Sequence, residues 1–295
     1  MISVILPVYN GQTYVLDSID CILKQTVEDF ELIIINDGSN DRSKEIILSK
    51  KDNRIIYIEN KTNQGLIKTL NKGLYYAKGQ YIARMDADDL CCQKRFEKQL
   101  YYFEENEHIA ILGTTQYIIG RERLLLQTPS WKENRVRLLL EPVVGHSSVM
   151  LKKATLVEKK LYYDKEALYA EDYKLWVDAS LSGLKIENLN EALCGYRYHK
   201  NQVSQQNYRK QQITANSIRL GYAGVFFQHI IKDIQLLYIS FVLLNPRGCN
   251  DSDLCTIKNM ATKMISENNH HLYFDKQLFN NFIEYRIATF ENFFN

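Results

Sequence analysis

Two aspartates one residue apart follow a strand-like run at residues 80–85. They are Asp86 and Asp88, separated by Ala87. Side chains at positions i and i+2 beyond a strand can point to the same side, so both carboxylates could bind one divalent cation. A cation held there would bridge to phosphate oxygens. The same Asp-x-Asp pattern recurs at 251–253, where it follows a turn and precedes a helical segment, and we interpret that copy as a helix N-cap.

Polar residues also follow the two earlier strand-like runs. Asp37 lies at the end of the second run, before a glycine, where a carboxylate can accept hydrogen bonds from a nucleobase or a ribose. The alternative is an ordinary turn aspartate. Tyr9 follows the first run and could stack on a base or simply pack against the protein.

The elements that would position these residues alternate between strand and helix, which is typical of βαβ units and a largely parallel sheet. Strands are predicted at residues 3–6, 30–35, 55–58 and 80–85. Gly79 is predicted to end the helix that begins near Leu66. Ligands bind outside the carboxyl ends of the strands in such sheets, which is where Asp37, Asp86 and Asp88 lie.

The pattern changes after residue 100. Strands are predicted at 109–112, 116–119 and 193–198. Glu171 is predicted to open a helix that runs to about Ser182, and nearly everything from about residue 205 onward has helical periodicity.

Four segments in this order resemble the nucleotide-sugar half of the family 2 inverting glycosyltransferases, which have the GT-A fold. The segments are Ser3–Asn10, Phe30–Ser39, Asn63–Gly73 and Gly79–Asp89. The resemblance implies an α/β, Rossmann-like, mostly parallel sheet flanked by helices. It implies a catalytic domain at 1–204, with a nucleotide-sugar half at 1–100 and an acceptor half at 101–204, followed by a helical C-terminal region at 205–295.

The resemblance also implies a UDP-sugar donor and a Mn²⁺ or Mg²⁺ cofactor. Asp86 and Asp88 match the aspartates that bind metal and diphosphate, and His199 is a further candidate ligand. The other candidate nucleotide-sugar residues are Pro7, Tyr9, Asp37, Gly65, Lys68 and Arg197.

The Glu171-Asp172 pair resembles the acceptor-side motif of the family. Inverting transfer needs a carboxylate that takes the proton of the acceptor hydroxyl, and Asp172 is the predicted base. The alternative is that these acids only complement the helix dipole. Glu171, His146 and Trp176 are predicted to contact the acceptor, although for the tryptophan a position in the core is the more common alternative.

Basic residues are concentrated in one stretch. The chain has 37 Lys and Arg against 35 Asp and Glu, a net charge of +2, so no nucleic-acid partner is expected. No acid occurs between Ala192 and Lys232, which hold six Lys and Arg. With the apolar residues that follow, this stretch could rest on an anionic membrane, cap the catalytic domain or form a homodimer contact. The apolar run at 234–244 is too short to span a bilayer.

The chain begins with a strand-like run and shows no secretory signal, and its six cysteines form no C-x-x-C pair. A cytoplasmic location is expected, with peripheral attachment to the inner face of the inner membrane as an option.

The predicted reaction transfers a hexose or N-acetylhexosamine from a UDP-sugar to a hydroxyl of a glycan or lipid-linked oligosaccharide. One alternative is transfer to polyprenyl phosphate, which needs no general base. Another is a nucleotide-sugar-binding protein without turnover. A dinucleotide dehydrogenase is disfavoured because no G-x-G-x-x-G follows the first strand.

Overall fold

A computed structural model describes residues 1–125, 130–200, 202–228 and 251–292. Its centre is one mixed sheet of nine strands in the order β3-β2-β1-β4-β8-β6-β9-β5, with β7 paired to β6. The strands are β1 (Ile2–Val8), β2 (Phe30–Asn36), β3 (Ile55–Glu59), β4 (Tyr81–Arg84), β5 (Leu90–Cys91), β6 (Ile109–Ile118), β7 (Leu124–Leu125), β8 (Met150–Lys152) and β9 (Lys185–Tyr196).

Helices alternate with the strands along the chain, and further helices follow β9. They are α1 (Val15–Leu23), α2 (Ser43–Ser49), α3 (Leu66–Tyr76), α4 (Arg95–Glu105), α5 (Trp131–Arg137), α6 (Lys153–Glu158), α7 (Glu171–Leu181), α8 (Val203–Gln206), α9 (Tyr208–Phe227), α10 (Asp251–His271) and α11 (Lys276–Glu291). A 3₁₀ turn, His146–Ser148, precedes β8.

The first half of the sheet is parallel. β1 pairs in parallel with β2 and β4, and β2 with β3. All residues of β1 and β2 are buried, because helices cover both faces, and this explains their continuous apolar sequences. The carboxyl ends of these strands therefore meet at one edge, as the sequence predicts.

The second half is mixed, and here two predicted boundaries are wrong. The strands predicted at 109–112 and 116–119 are one strand, β6, whose polar centre, Thr114–Gln116, is buried. The strand predicted at 193–198 begins much earlier, as β9, which pairs in parallel with β6 through three register shifts. At each register shift the alternation of apolar and polar residues is interrupted although the strand continues. The interrupted alternation explains why the predicted strands are shorter than the observed ones.

Gly79 does not end α3 as a C-terminal glycine. The helix ends at Tyr76, and a Cβ on Gly79 would lie 2.6 Å from the backbone nitrogen of Ser3. The residue is a glycine because the turn into β4 passes directly against the backbone of β1.

We expect Gly79→Ala to lower the free energy of unfolding by about 1–3 kcal/mol, because the new methyl group would push β1 and the turn apart. The matched control is Gly221→Ala in α9, where a Cβ meets nothing within 4 Å. That change should be neutral or stabilise the protein by about 0.5–1 kcal/mol. Urea unfolding of both variants measures the difference, and equal effects would contradict this interpretation.

The C-terminal helices share a hydrophobic core with the acceptor-side elements. Tyr222 and Phe227 of α9 and Phe279 of α11 belong to the same buried cluster as Trp176 of α7. The division of the chain at residue 204 stays a prediction. Within the described ranges no helix has the length and apolarity to cross a membrane. The apolar run at 234–244 and most of the apolar stretch after Gly221 lie outside the described residues.

Candidate active site

Three carboxylates converge in the short loop between β4 and β5. Asp86, Asp88 and Asp89 each present an oxygen atom within 4.8 Å of the others. The carboxyl end of β4 lies beside β1, and the Ser18 hydroxyl of α1 donates to the Asp89 carbonyl over 2.8 Å, which fixes the loop. The two predicted ligands are thus together, and the structure adds Asp89, which sequence reasoning missed.

Asp89 is the buried member of this cluster. Its carboxylate accepts hydrogen bonds from the Ser147 hydroxyl at 2.5 Å and the Arg197 backbone N–H at 2.8 Å. Burial, followed by the charges of Asp86 and Asp88, raises the pKa of Asp89 to about 8. It therefore links the aspartate loop to the 3₁₀ turn and to the segment after β9.

The segment after β9 brings His199 to the same loop, as predicted. Its Nε2 atom lies 2.8 Å from Asp88 Oδ2, and its ring lies against Tyr14. Arg197 was predicted to bind the diphosphate, and in the structure its side chain contacts residues of the protein. Its Nε donates to the Asp88 carbonyl over 2.7 Å and its guanidinium lies 4.4 Å from the centre of the Tyr14 ring. Arg197 thus braces the loop, and a role toward phosphate stays a prediction.

The donor set fits a hard divalent cation. Mn²⁺ and Mg²⁺ prefer carboxylate oxygens, and three of these lie within reach of one ion, with a histidine nitrogen beside them. Burial raises the pKa of Asp86, Arg84 opposes the rise and the charge of Asp88 adds to it. A bound cation would relieve this repulsion between neighbouring carboxylates.

Asp37 lies buried at the carboxyl end of β2, where its carboxylate organises the loop after β3. Oδ1 accepts from the Asn60 side chain at 2.7 Å and the Gln64 backbone N–H at 2.8 Å, and Oδ2 accepts from the Gly65 N–H at 2.9 Å. Gly65 has a φ of 87°, which favours glycine. Contact between Asp37 and a nucleobase stays a prediction.

The remaining donor-side candidates surround this edge of the sheet. Pro7 is buried within β1, whereas Tyr9 is 48% exposed beyond the end of the strand. Lys68 lies exposed on the first turn of α3. An exposed aromatic side chain beside a buried carboxylate can contact a planar base.

The acceptor-side pair opens α7, as predicted. Glu171 is buried, and Asp172 is partly buried and accepts the Tyr173 backbone N–H at 2.7 Å. Burial raises the pKa of Asp172, with Arg84 lowering it and Asp86 raising it. Burial and the charge of Asp172 raise the pKa of Glu171 to about 7. The 3₁₀ turn contacts both α7 and the aspartate loop, because the Ser147 hydroxyl donates to Asp89 and the His146 ring lies 6.3 Å from the Trp176 ring.

His146 and Trp176 form a layer beside this pair. The His146 Nε2 atom lies 2.9 Å from the Tyr163 hydroxyl, and burial, followed by the charge of Arg84, holds the pKa of the histidine well below its usual range. His146 is therefore neutral. Trp176 is 0% exposed and meets His146 edge to face. Its predicted contact with the acceptor is not supported, because a sugar cannot stack on a ring enclosed in the core.

The comparison with known proteins agrees with this site. The sequence model of Glycosyl transferase family 2 matches residues 3–153, half of the chain. The chain belongs to this family.

Named relatives cover much of this glycosyltransferase. An uncharacterized glycosyltransferase of Haemophilus influenzae is 36% identical over 253 residues, covering 80% of this chain and 77% of the relative. The UDP-Glc:alpha-D-GlcNAc-diphosphoundecaprenol beta-1,3-glucosyltransferase WfgD of Escherichia coli is 28% identical over 237 residues, covering 80% of this chain and 90% of WfgD.

A solved structure shows the same fold over nearly the whole chain. Staphylococcus aureus TarS 1-349 in complex with UDP-GlcNAc has a TM-score of 0.67 at 18% identity, covering 99% of this chain and 89% of that one. The predicted family, GT-A fold class and enzyme class are therefore confirmed.

We expect the transfer rate of this glycosyltransferase to fall as the pH is lowered from neutral, because burial raises the pKa of Asp172, the predicted base, and raises that of its neighbour Glu171 to about 7. A raised pKa means that protonation begins at higher pH, and a protonated carboxyl cannot act as a base. A pH–rate profile at saturating donor and Mg²⁺ measures the effect. A rate that stays constant down to about pH 5 would contradict it.

Proposed function

We propose that this glycosyltransferase transfers a hexose or N-acetylhexosamine from a UDP-sugar to a hydroxyl of a glycan or lipid-linked oligosaccharide, with inversion at the anomeric carbon. The observation that carries the proposal is that the aspartate loop and α7 both contact the 3₁₀ turn, through the Ser147–Asp89 hydrogen bond and the His146–Trp176 ring contact. Asp86 and Asp88 belong to that loop, Glu171 and Asp172 open α7, and the charge of Arg84 acts on carboxylates of both. Cation binding and proton removal can therefore occur in one site.

The donor side would hold the nucleotide diphosphate. The loops after β1, β2 and β3 meet at one sheet edge, joined by hydrogen bonds from Asn10 to Ser39 and from Gly65 to Asp37. Mn²⁺ or Mg²⁺ bound by Asp86, Asp88 and Asp89, with His199 beside them, would neutralise charge on the departing diphosphate. WfgD, by its name, uses UDP-Glc, which supports a UDP-sugar donor.

The acceptor side would supply the base. The acceptor oxygen forms a bond to the anomeric carbon, the bond from that carbon to the β-phosphate oxygen breaks, and the acceptor proton passes to Asp172. Because an alcohol is far less acidic than a carboxylic acid, proton transfer accompanies bond formation. Arg84 keeps positive charge beside Asp172, which favours the ionised form at the start of the reaction.

A lipid-linked acceptor would bring the protein to a membrane surface. We therefore propose that the transfer takes place in the cytoplasm, at the inner face of the inner membrane. Lys200, Arg209 and Lys210 occur in the acid-free stretch, together with exposed apolar side chains. Those side chains are Tyr198, Val203, Tyr208 and Ile213. This combination suits an anionic lipid surface.

Release of UDP from a panel of UDP-sugars tests the proposal. The panel contains UDP-glucose, UDP-galactose and their N-acetylamino counterparts, with and without glycan and diphospholipid-linked acceptors, in the presence of Mn²⁺ or EDTA. We expect acceptor-stimulated, metal-dependent release with one or two donors. Stimulation by polyprenyl phosphate alone would favour the alternative acceptor, and donor binding without any release would favour a binding protein.

A further inference from the structure

Arg84 is a buried cation in the strand that leads into the aspartate loop. Its side chain is only 3% exposed. Its backbone is fixed on both sides, because its N–H donates to the Val149 carbonyl over 3.1 Å and its own carbonyl accepts from Arg95 over 3.1 Å. A charged side chain inside a sheet is costly unless opposite charges face it.

Carboxylates from two parts of the chain supply those charges. The Nη1 atom forms an ion pair with Asp86, and the charge of Arg84 also acts on Glu171 and Asp172. Burial alone would lower the pKa of Arg84, but the Asp86 carboxylate more than offsets this and the pKa is raised. The buried Nε atom has no hydrogen-bond acceptor among the described residues. Arg84 therefore acts through charge more than through a complete set of hydrogen bonds.

We propose that Arg84 is a positioning residue that holds the cation-binding aspartates and the Glu171-Asp172 pair in one arrangement. Like charges on the aspartate loop and at the start of α7 repel each other, and this repulsion is strong where water is excluded. A fixed cation beside both reduces the repulsion, and because it is paired with Asp86 it also competes with a metal ion for that carboxylate. The consequence for catalysis rests on the proposed function, whereas the consequence for cation binding does not.

The proposal predicts opposite effects on two measurements. Arg84→Met removes positive charge beside Asp86, so Mn²⁺ should bind about tenfold more tightly in a calorimetric or EPR titration of the protein without nucleotide. The same change should lower kcat for acceptor-stimulated UDP release about 100-fold, because Asp172 loses its counter-charge. The donor KM should stay within about threefold, since a side chain this buried does not reach the donor.

Two further variants separate the effect of the charge of residue 84 from a loss of folding stability. Arg84→Lys keeps the charge and should stay within about threefold of the parent in Mn²⁺ affinity and kcat. Arg95→Met removes a neighbouring buried arginine whose guanidinium donates to the Arg84 and Val149 carbonyls at 3.1 and 3.0 Å, and it should lower the melting temperature without tightening Mn²⁺ binding. If Arg84→Met does not fold, Arg84→Gln, which retains donor groups, replaces it.

Unchanged or weaker Mn²⁺ binding in the folded, uncharged Arg84 variant would overturn the proposal, as would a parental kcat in that variant or an equal loss of kcat in Arg84→Lys. If the parent released no UDP from any donor, the proposed function would fail, but the Mn²⁺ titrations would still decide the role of Arg84 in the aspartate loop.

Discussion

Replacing Asp172 by asparagine should lower the rate of sugar transfer to a hydroxyl acceptor by about 10²- to 10⁴-fold, the usual contribution of a general base. The amide has nearly the same shape and can still accept the Tyr173 backbone N–H that the carboxylate accepts at 2.7 Å. The start of α7 should therefore keep its structure, and the loss should appear in kcat. Acceptor-stimulated UDP release gives the rate, and calorimetric titration with UDP shows whether donor binding is retained.

The matched control lies on the same helix. Asp178 pairs with Lys174 at 2.6 Å on a partly exposed face of α7, so Asp178→Asn removes one carboxylate from the same element and should leave the rate within about twofold. If Asp172→Asn retained transfer to a hydroxyl, no base would be needed at this position. If it retained transfer to polyprenyl phosphate only, the acceptor would be an ionised phosphate.

The aspartate loop shows what the sequence could predict of this site. Asp86 and Asp88 follow an apolar run at the carboxyl end of a parallel strand, and the geometry of such a sheet brings that end to the ligand edge. The sequence did not single out Asp89, because a further acid beside an Asp-x-Asp pair is also typical of a solvated flank. Only the fold shows that Ser147 and Arg197, from distant segments, enclose it.

The sequence contained an indication that Arg84 pairs with a carboxylate. A charged residue near the end of a strand in a predicted parallel sheet needs a partner, and the aspartate two residues later was the nearest candidate. For Trp176 the sequence contained no comparable indication, because its position in a helix is compatible both with the core and with a ligand-binding face. Its burial follows from the hydrophobic core that α7 shares with α9 and α11, which no local pattern encodes.

The partners of Asp37 could not be predicted either. A carboxylate at a strand end accepts hydrogen bonds from whatever donors the tertiary structure brings to it. Here the loop after β3 folds back, so that Asn60, Gln64 and Gly65 supply the donors. The sequence identified the residue and the sheet edge, while loop geometry decided its contacts.

Asp88→Ala should reduce metal-dependent UDP release by about 10³-fold and weaken Mn²⁺ binding by at least about tenfold, because it removes one of three converging carboxylates and the partner of His199. The loop should nevertheless stay folded. Its anchors are the Arg197 Nε bond to the Asp88 carbonyl and the Ser18 bond to the Asp89 carbonyl, and neither uses the Asp88 side chain.

Because the Asp88 side chain does not anchor the loop, the effect of its loss on metal binding can be measured apart from any effect on folding. Asp89→Ala would break bonds to Ser147 and to the Arg197 backbone, so it should lower both the melting temperature and the activity. Asp88→Ala should lower activity and Mn²⁺ affinity at a nearly unchanged melting temperature. Asp29→Ala, which removes a carboxylate that is 75% exposed, controls for the change in net charge and should leave all three near the parent values. Full activity of Asp88→Ala in EDTA would mean that the reaction uses no cation at this loop, and the charge on the leaving diphosphate would then have to be met by protein groups alone.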